Sequence, residues 1–294
     1  MYKVITVDRE DGFKDRTLVG EGEEDGEITV ENPTKLNCRD LTVKRLVLQS
    51  GNIGILENGP KKADLFYAKC CGITGLDYSY AEITNFFVYE NFELKSLKGC
   101  PKVTETLSAY NCSIEELDCS EMSLDNFELH SNQLKSLANG PKKARMYDVS
   151  NNRLETLDCP ELEVGEIFNI SSNNLKSLAN GPKSVLRYDA SDCCLQTLDC
   201  PELQVSRLLV QNNYQLCLRG CPKADFIKVS EDIPLLFAVG KVEKVIIEGR
   251  KEYSIMLGDT IFRTKLNLIQ SGQKEYATFY NERPSIDDDN EDMV

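Results

Sequence analysis

A leucine pair returns along this chain every 20 or 21 residues, and no other feature restricts the fold as much. Aligned on its second apolar residue, the L-x-x-L motif recurs at Leu36, Leu56, Leu76, Leu97, Leu117, Leu137, Leu157, Leu178, Leu198 and Leu218. An alternating pair precedes it, as in Phe66/Ala68, Leu107/Ala109, Phe127/Leu129, Tyr147/Val149, Phe168/Ile170, Tyr188/Ala190 and Leu208/Val210. Three residues after the pair stands an amide or a thiol. A repeat this short cannot bury its own apolar side, so successive copies must stack as coils of a solenoid.

Each residue type in the unit L-x-L-x-x-N/C-x-L-x-x-L has a physical task. The L-x-L pair predicts a short strand with alternate side chains inward, paired with the strands of neighbouring coils in one parallel sheet. Where the chain leaves the strand, backbone groups inside the coil lose water. A buried amide satisfies them, and a thiol fits the same slot with a weaker donor. Cys71, Cys112, Asn132, Asn152, Asn173, Cys193 and Asn213 are therefore expected to form an interior structural ladder. The expected fold is an α/β-type solenoid, mostly β, curved into a horseshoe with a parallel concave sheet and short irregular convex turns.

A second period overlies the first. Turns of the NGPK or GCPK form, at 58–61, 99–102, 139–142, 180–183 and 220–223, alternate with DCPEL-like turns at 37–41, 118–122, 158–162 and 199–203. The duplicated unit is thus two coils long. It sets Lys61, Lys102, Lys142, Lys183 and Lys223 near Asp40, Glu121, Glu161 and Glu202, which predicts weak surface charge complementarity between coils. The periodicity divides the chain into an N-terminal β cap (1–27), the repeats (28–230), degenerate repeats forming a C-terminal cap (231–272) and an acidic, disordered tail (273–294). Within the first cap, the run EGEEDGE from Glu21 reads as a mobile acidic loop between strands VITV and EITV.

Composition narrows the function. Hydrophobic residues at 41% and charged residues at 28% are compatible with a buried core. The net charge of −14 opposes nucleic acid and anionic lipid as partners. No apolar run approaches the roughly 20 residues that span a bilayer. Twelve cysteines stand beside a single histidine, His130, and no CxxC pair occurs, so a zinc site is not expected. Nine of the cysteines share repeat positions, which predicts reduced, packed thiols in a cytoplasmic environment.

No GxGxxG, GxxxxGK[ST], HExxH or GxSxG motif is present. Glu128, His130, Asp148 and Asp189 are titratable, but on a sheet they form an open strip without a water-excluding pocket. No catalytic residue, metal or cofactor is expected. The outward strand residues suit binding better. Leu65, Tyr67, Phe86, Val88 and Tyr110 predict an apolar half of the concave face. Glu128, His130, Asp148, Asn169 and Asp189 predict a polar, acidic half, with Arg187 and Arg207 at its edge. Such a face, on a monomer, is expected to hold a protein partner with a basic surface.

Stretches such as RMYDVSNNRLETL from Arg145 and NISSNNLKSL from Asn169 resemble the leucine-rich repeats of bacterial effector proteins of the YopM and IpaH kind. The resemblance covers roughly residues 28–230. It implies a repeat-only, Legionella-type effector, secreted into the host cytoplasm, that binds a host protein without enzymatic activity. The proline that usually follows the second leucine is displaced here into NGP and DCP, and no ligase domain is expected after the coils. An intracellular scaffold or adaptor unrelated to virulence, or a regulatory subunit associated with an enzyme, fits the same repeats.

Overall fold

The structure is a computed structural model. It describes residues 1–8, 14–213, 215–216 and 222–229, followed, as backbone only, by strands between 236 and 280. The first strands are β1 (Tyr2–Asp8), β2 (Lys14–Glu31), β3 (Lys35–Gln49), β4 (Gly54–Glu57), β5 (Lys62–Lys69), β6 (Ile73–Asp77) and β7 (Glu82–Tyr89). Then come β8 (Lys102–Ser108), β9 (Ser123–Glu128), β10 (Lys143–Asp148), β11 (Glu163–Asn169), β12 (Ser184–Asp189), β13 (Gln204–Leu209) and β14 (Lys223–Val229). The backbone continues through β15 (Leu236–Ala238), β16 (Lys244–Glu248), β17 (Glu252–Leu257), β18 (Thr260–Lys265), β19 (Asn267–Ser271) and β20 (Lys274–Tyr280).

One 15-stranded sheet dominates, in the order β1-β2-β3-β5-β7, then β8 through β14, then β16-β20-β19. Between β2 and β16 all neighbours in this sheet are parallel, and its described antiparallel pairs lie at the two ends, in β1–β2 and in β16–β20–β19; β15, β17 and β18 form a separate sheet. Across the coil, β4 and β6 pair in parallel, and the Ser96–Glu116 bridge continues their line. The chain is thus a β-solenoid of stacked turns. No helix occurs among the described residues, so the fold is β rather than the expected α/β type.

The core is a set of columns running through the stack. Leu46, Phe66, Phe86, Leu107, Phe127, Tyr147, Phe168, Tyr188, Leu208 and Ile227 are partners strand to strand. None is more than 1% exposed. Leu56, Leu97, Leu117, Leu137, Leu157, Leu178 and Leu198 close the coil from the opposite side, each buried. The two-coil period has a packing cause. A Cβ on Gly140 or Gly181, in the NGP turns, would meet the hydroxyl of Tyr147 at 2.7 Å or Tyr188 at 3.0 Å. A Cβ on Gly59 would meet the Tyr78 ring at 2.8 Å. Glycine there makes room for a buried phenol, while Asn58, Asn139 and Asn180 take the left-handed conformation of the turn.

The steps of 21 residues are absorbed in different ways. One extra residue follows Asn91, so that Leu94 stands three residues on, where Leu134 stands two residues after Asn132; Phe92 is extruded and 66% exposed. The other forms a bulge at Gly165–Glu166 of β11, before its inward pair. The first event corrects the expected register of β7. Counting back from Leu97 places Phe86 and Val88 outward, but both are 0% exposed. Phe87 and Tyr89 face out instead. A second correction concerns the acidic run. Glu21 to Glu24 and Glu27 belong to β2 and pair with β3, and Glu27 accepts an ion pair from Arg45 at 3.0 Å.

At the far end, Val245 and Ile247 lie in β16 opposite Ile227 and Val229. Lys274–Tyr280, within the segment read as tail, pair with β16. Ile233, Leu266 and residues 281–294 lie outside the described residues.

Candidate functional site

The sheet face is held by the ladder beneath it. Asn132 Nδ2 donates to the carbonyls of Ala109 at 2.6 Å and Leu129 at 3.1 Å, and its Oδ1 accepts from Ile114 N at 3.1 Å. Asn152 does the same with Leu129, Val149 and Leu134, and Asn173 and Asn213 with their own neighbours. The thiols of Cys112 and Cys193 donate to Val88 and Ile170 carbonyls, each at 3.4 Å, while Cys71 donates to Lys69 O at 3.3 Å. Asn91, buried and bonded to Cys71 N and Ile73 N, also belongs to this ladder. The residue before each slot has positive φ, as in Cys70, Glu90, Asn111, Ser131, Asn151, Ser172, Asp192 and Asn212. The chain turns the same corner in each coil, which fixes where each strand ends on the face.

Outward residues make three rows. The middle row runs Val47, Tyr67, Phe87, Ser108, Glu128, Asp148, Asn169, Asp189 and Leu209. Beside it, Leu65 and Arg187 lie on one flank with the exposed Arg207, and Tyr89, Tyr110 and His130 lie on the other. The aromatic rings touch. Tyr67 and Tyr89 meet edge-on at 5.4 Å, Phe87 and Tyr89 at 5.7 Å, and Tyr89 and Tyr110 at 4.0 Å between centroids. Tyr110 and His130 stack at 4.9 Å with 10° between their planes. Burial pushes the Tyr89 phenol up to about 12. Such a cluster of half-buried rings is the usual anchor of a protein contact.

The acidic half is more self-contained than its charges suggest. Asp148 Oδ1 accepts from the amide and hydroxyl of Ser150 at 2.9 and 2.7 Å, and its Oδ2 accepts from Asn169 at 3.0 Å. Asn169 holds Ser171 in the same way, and Asp189 holds Ser191 N at 3.2 Å while pairing with Arg187 at 3.3 Å. These side chains cap their own strand ends. Glu128 differs: among the described residues its carboxylate has neither a hydrogen bond nor an ion pair. At the rim, Lys69 pairs with Glu90 at 3.1 Å, and the Cys70 thiol donates to the same carboxylate at 3.1 Å.

Burial pushes the thiols of Cys71 and Cys112 up to about 11, and those of Cys38, Cys100, Cys159 and Cys193 up to about 12. Protonated thiols of this kind are poor nucleophiles. His130 Nδ1 lies 3.3 Å from Ser131 Oγ. Among the described residues, no three His, Cys, Asp or Glu side chains gather as metal ligands. A groove of about 550 Å³ at the strand starts is lined by Ser123, Lys143, Pro160, Glu163 and Gly165, and its Lys143–Glu163 pair at 3.1 Å is a solvated ion pair.

These features define a parallel β-solenoid with one broad aromatic and acidic sheet face. Comparison with known proteins returned no matching family model, no matching curated protein and no matching solved structure.

Proposed function

We propose that this chain is a leucine-rich-repeat module that holds a protein partner across its long sheet and performs no catalysis. The observation that carries the reading is the run of touching rings from Tyr67 through Phe87, Tyr89 and Tyr110 to His130, half-buried on the sheet face. Rigid strands present these rings with little entropy left to lose on binding, which favours affinity. The net charge of −14 and the carboxylates that follow along the face favour a basic partner and fast approach. The resemblance of the SNNLKSL units to effector repeats supports a cytoplasmic setting in a host cell, reached by secretion from a bacterium, with the module acting as a monomer.

The test is affinity capture from host lysate with the full chain. Tyr67→Ala combined with Phe87→Ser should lose the partner. Lys142→Glu combined with Lys183→Glu, on the turns, should keep it. Retention by the first variant with loss by the second would place binding on the other side of the coil.

A further inference from the structure

The column of rings on the sheet face ends at His130. Tyr89, Tyr110 and His130 follow one another at 4.0 and 4.9 Å, and the last two are nearly parallel. The same position in the next coils is occupied by Ser150, Ser171 and Ser191. No ring therefore follows the imidazole, and the step beyond it carries only a short hydroxyl side chain. Two residues before His130, Glu128 projects on the same face of the sheet. Its strand neighbours are Ser108 and Asp148. Asp148 is already engaged by Ser150 and Asn169, whereas Glu128 has no partner among the described residues. The nearest cations along the face are neutralised: Lys69 by Glu90 at 3.1 Å, Arg145 by Glu166 at 2.7 Å and Arg187 by Asp189 at 3.3 Å.

Resting on the reading that the sheet face holds a protein, we propose that the step over Ser150 takes an arginine side chain of the partner, its guanidinium stacking on His130 and donating a forked pair of hydrogen bonds to Glu128. Three features select that group. A stack of near-parallel rings is continued by another planar group, which an ammonium is not. A carboxylate without a partner accepts two parallel N–H bonds from a guanidinium fork. The surrounding carboxylates and the net charge of −14 favour a cation over a neutral planar group.

The chain has one histidine, so His130 gives the only imidazole Hε1 resonance and reports on its own ring face. Three short peptides differing only in a central arginine, citrulline or lysine would be titrated into the full chain. The arginine peptide should shift the resonance saturably, and the other two should need about tenfold higher concentration or more. Glu128→Gln breaks no side-chain hydrogen bond or ion pair among the described residues and should weaken the arginine peptide by about tenfold. Equal responses to arginine and citrulline, or no shift at millimolar arginine peptide, overturns the inference. If that happens while Tyr67→Ala with Phe87→Ser still abolishes capture, only the arginine assignment falls. If capture is also unaffected, the sheet-face reading falls with it.

Discussion

The hydroxyl of Tyr147 stands 2.7 Å from where a Cβ on Gly140 would lie. Gly140 is not held by a left-handed backbone, since the positive φ of that turn belongs to Asn139. Its requirement is space. Gly140→Ala should destabilise the fold by about 1–3 kcal/mol through overpacking. Adding Tyr147→Phe should recover part of the loss. Recovery is partial because Leu117 Cδ1 and the Leu137 carbonyl also lie 3.0 Å from the added methyl. Denaturation of the four proteins of the cycle measures the coupling, and strict additivity would break this link between turn and core.

The ladder predicts effects of opposite sign at two positions. Asn152→Ala strips partners from the Leu134 amide and the Leu129 and Val149 carbonyls, and should cost about 1–3 kcal/mol. Cys193 occupies the same slot but offers no strong acceptor, and the Leu175 N–H one coil back has none among the described residues. In the adjacent coil, Asn213 Oδ1 takes the equivalent Leu195 N–H at 3.0 Å. Cys193→Asn should therefore stabilise by about 0.5–1.5 kcal/mol, read as a shift in the urea midpoint.

Stability should fall at alkaline pH. Unfolded thiols titrate near the ordinary 9.0, while burial holds Cys38, Cys100, Cys159 and Cys193 up to about 12 in the folded chain. Burial raises the phenols of Tyr78, Tyr147 and Tyr188 well above their ordinary 10.0, with the same sign. In that window the unfolded chain releases protons that the folded chain keeps. The contribution is fully present below about pH 9 and is lost as pH rises toward 12. Urea midpoints measured from pH 7 to 11 should be flat at first and then decline. A midpoint that rises across that window would contradict the burial of these groups.

The register of β7 separates two neighbouring residues. Val88→Asp places a charge in the core and should abolish cooperative unfolding, whereas Phe87→Ser, on the half-buried outer row, should cost about 1 kcal/mol. Thermal melts of the two variants decide it, and the reverse order would restore Phe86 and Val88 to the outer face.

The repeat period, the inward pairs and the ladder were legible in the sequence because each depends on one residue type at one spacing. The register of ITNFFVY was not. Phe86, Phe87, Val88 and Tyr89 are all apolar or aromatic, so alternation there distinguishes neither face, and the extra residue after Asn91 misleads any count made from Leu97. The informative signal was Asn91 itself, five residues after Phe86 as Asn132 is five after Phe127. The acidic run reads as a loop because Glu and Gly are poor strand formers, yet a parallel neighbour in β3 supplies its pairing. Nor could charge alone separate Asp148, which serves its own strand end, from Glu128, whose carboxylate has no hydrogen bond or ion pair among the described residues.

The central claim is that a protein partner covers the ring cluster of the sheet face. Hydroxyl-radical footprinting of the captured complex against the free chain tests it at the residues concerned. Oxidation of Tyr67, Phe87, Tyr110 and His130 should fall on binding, while Ile55 and Phe92, 57% and 66% exposed away from that face, should react as before. Protection of Ile55 and Phe92 with undiminished oxidation of the four sheet-face residues would contradict the account.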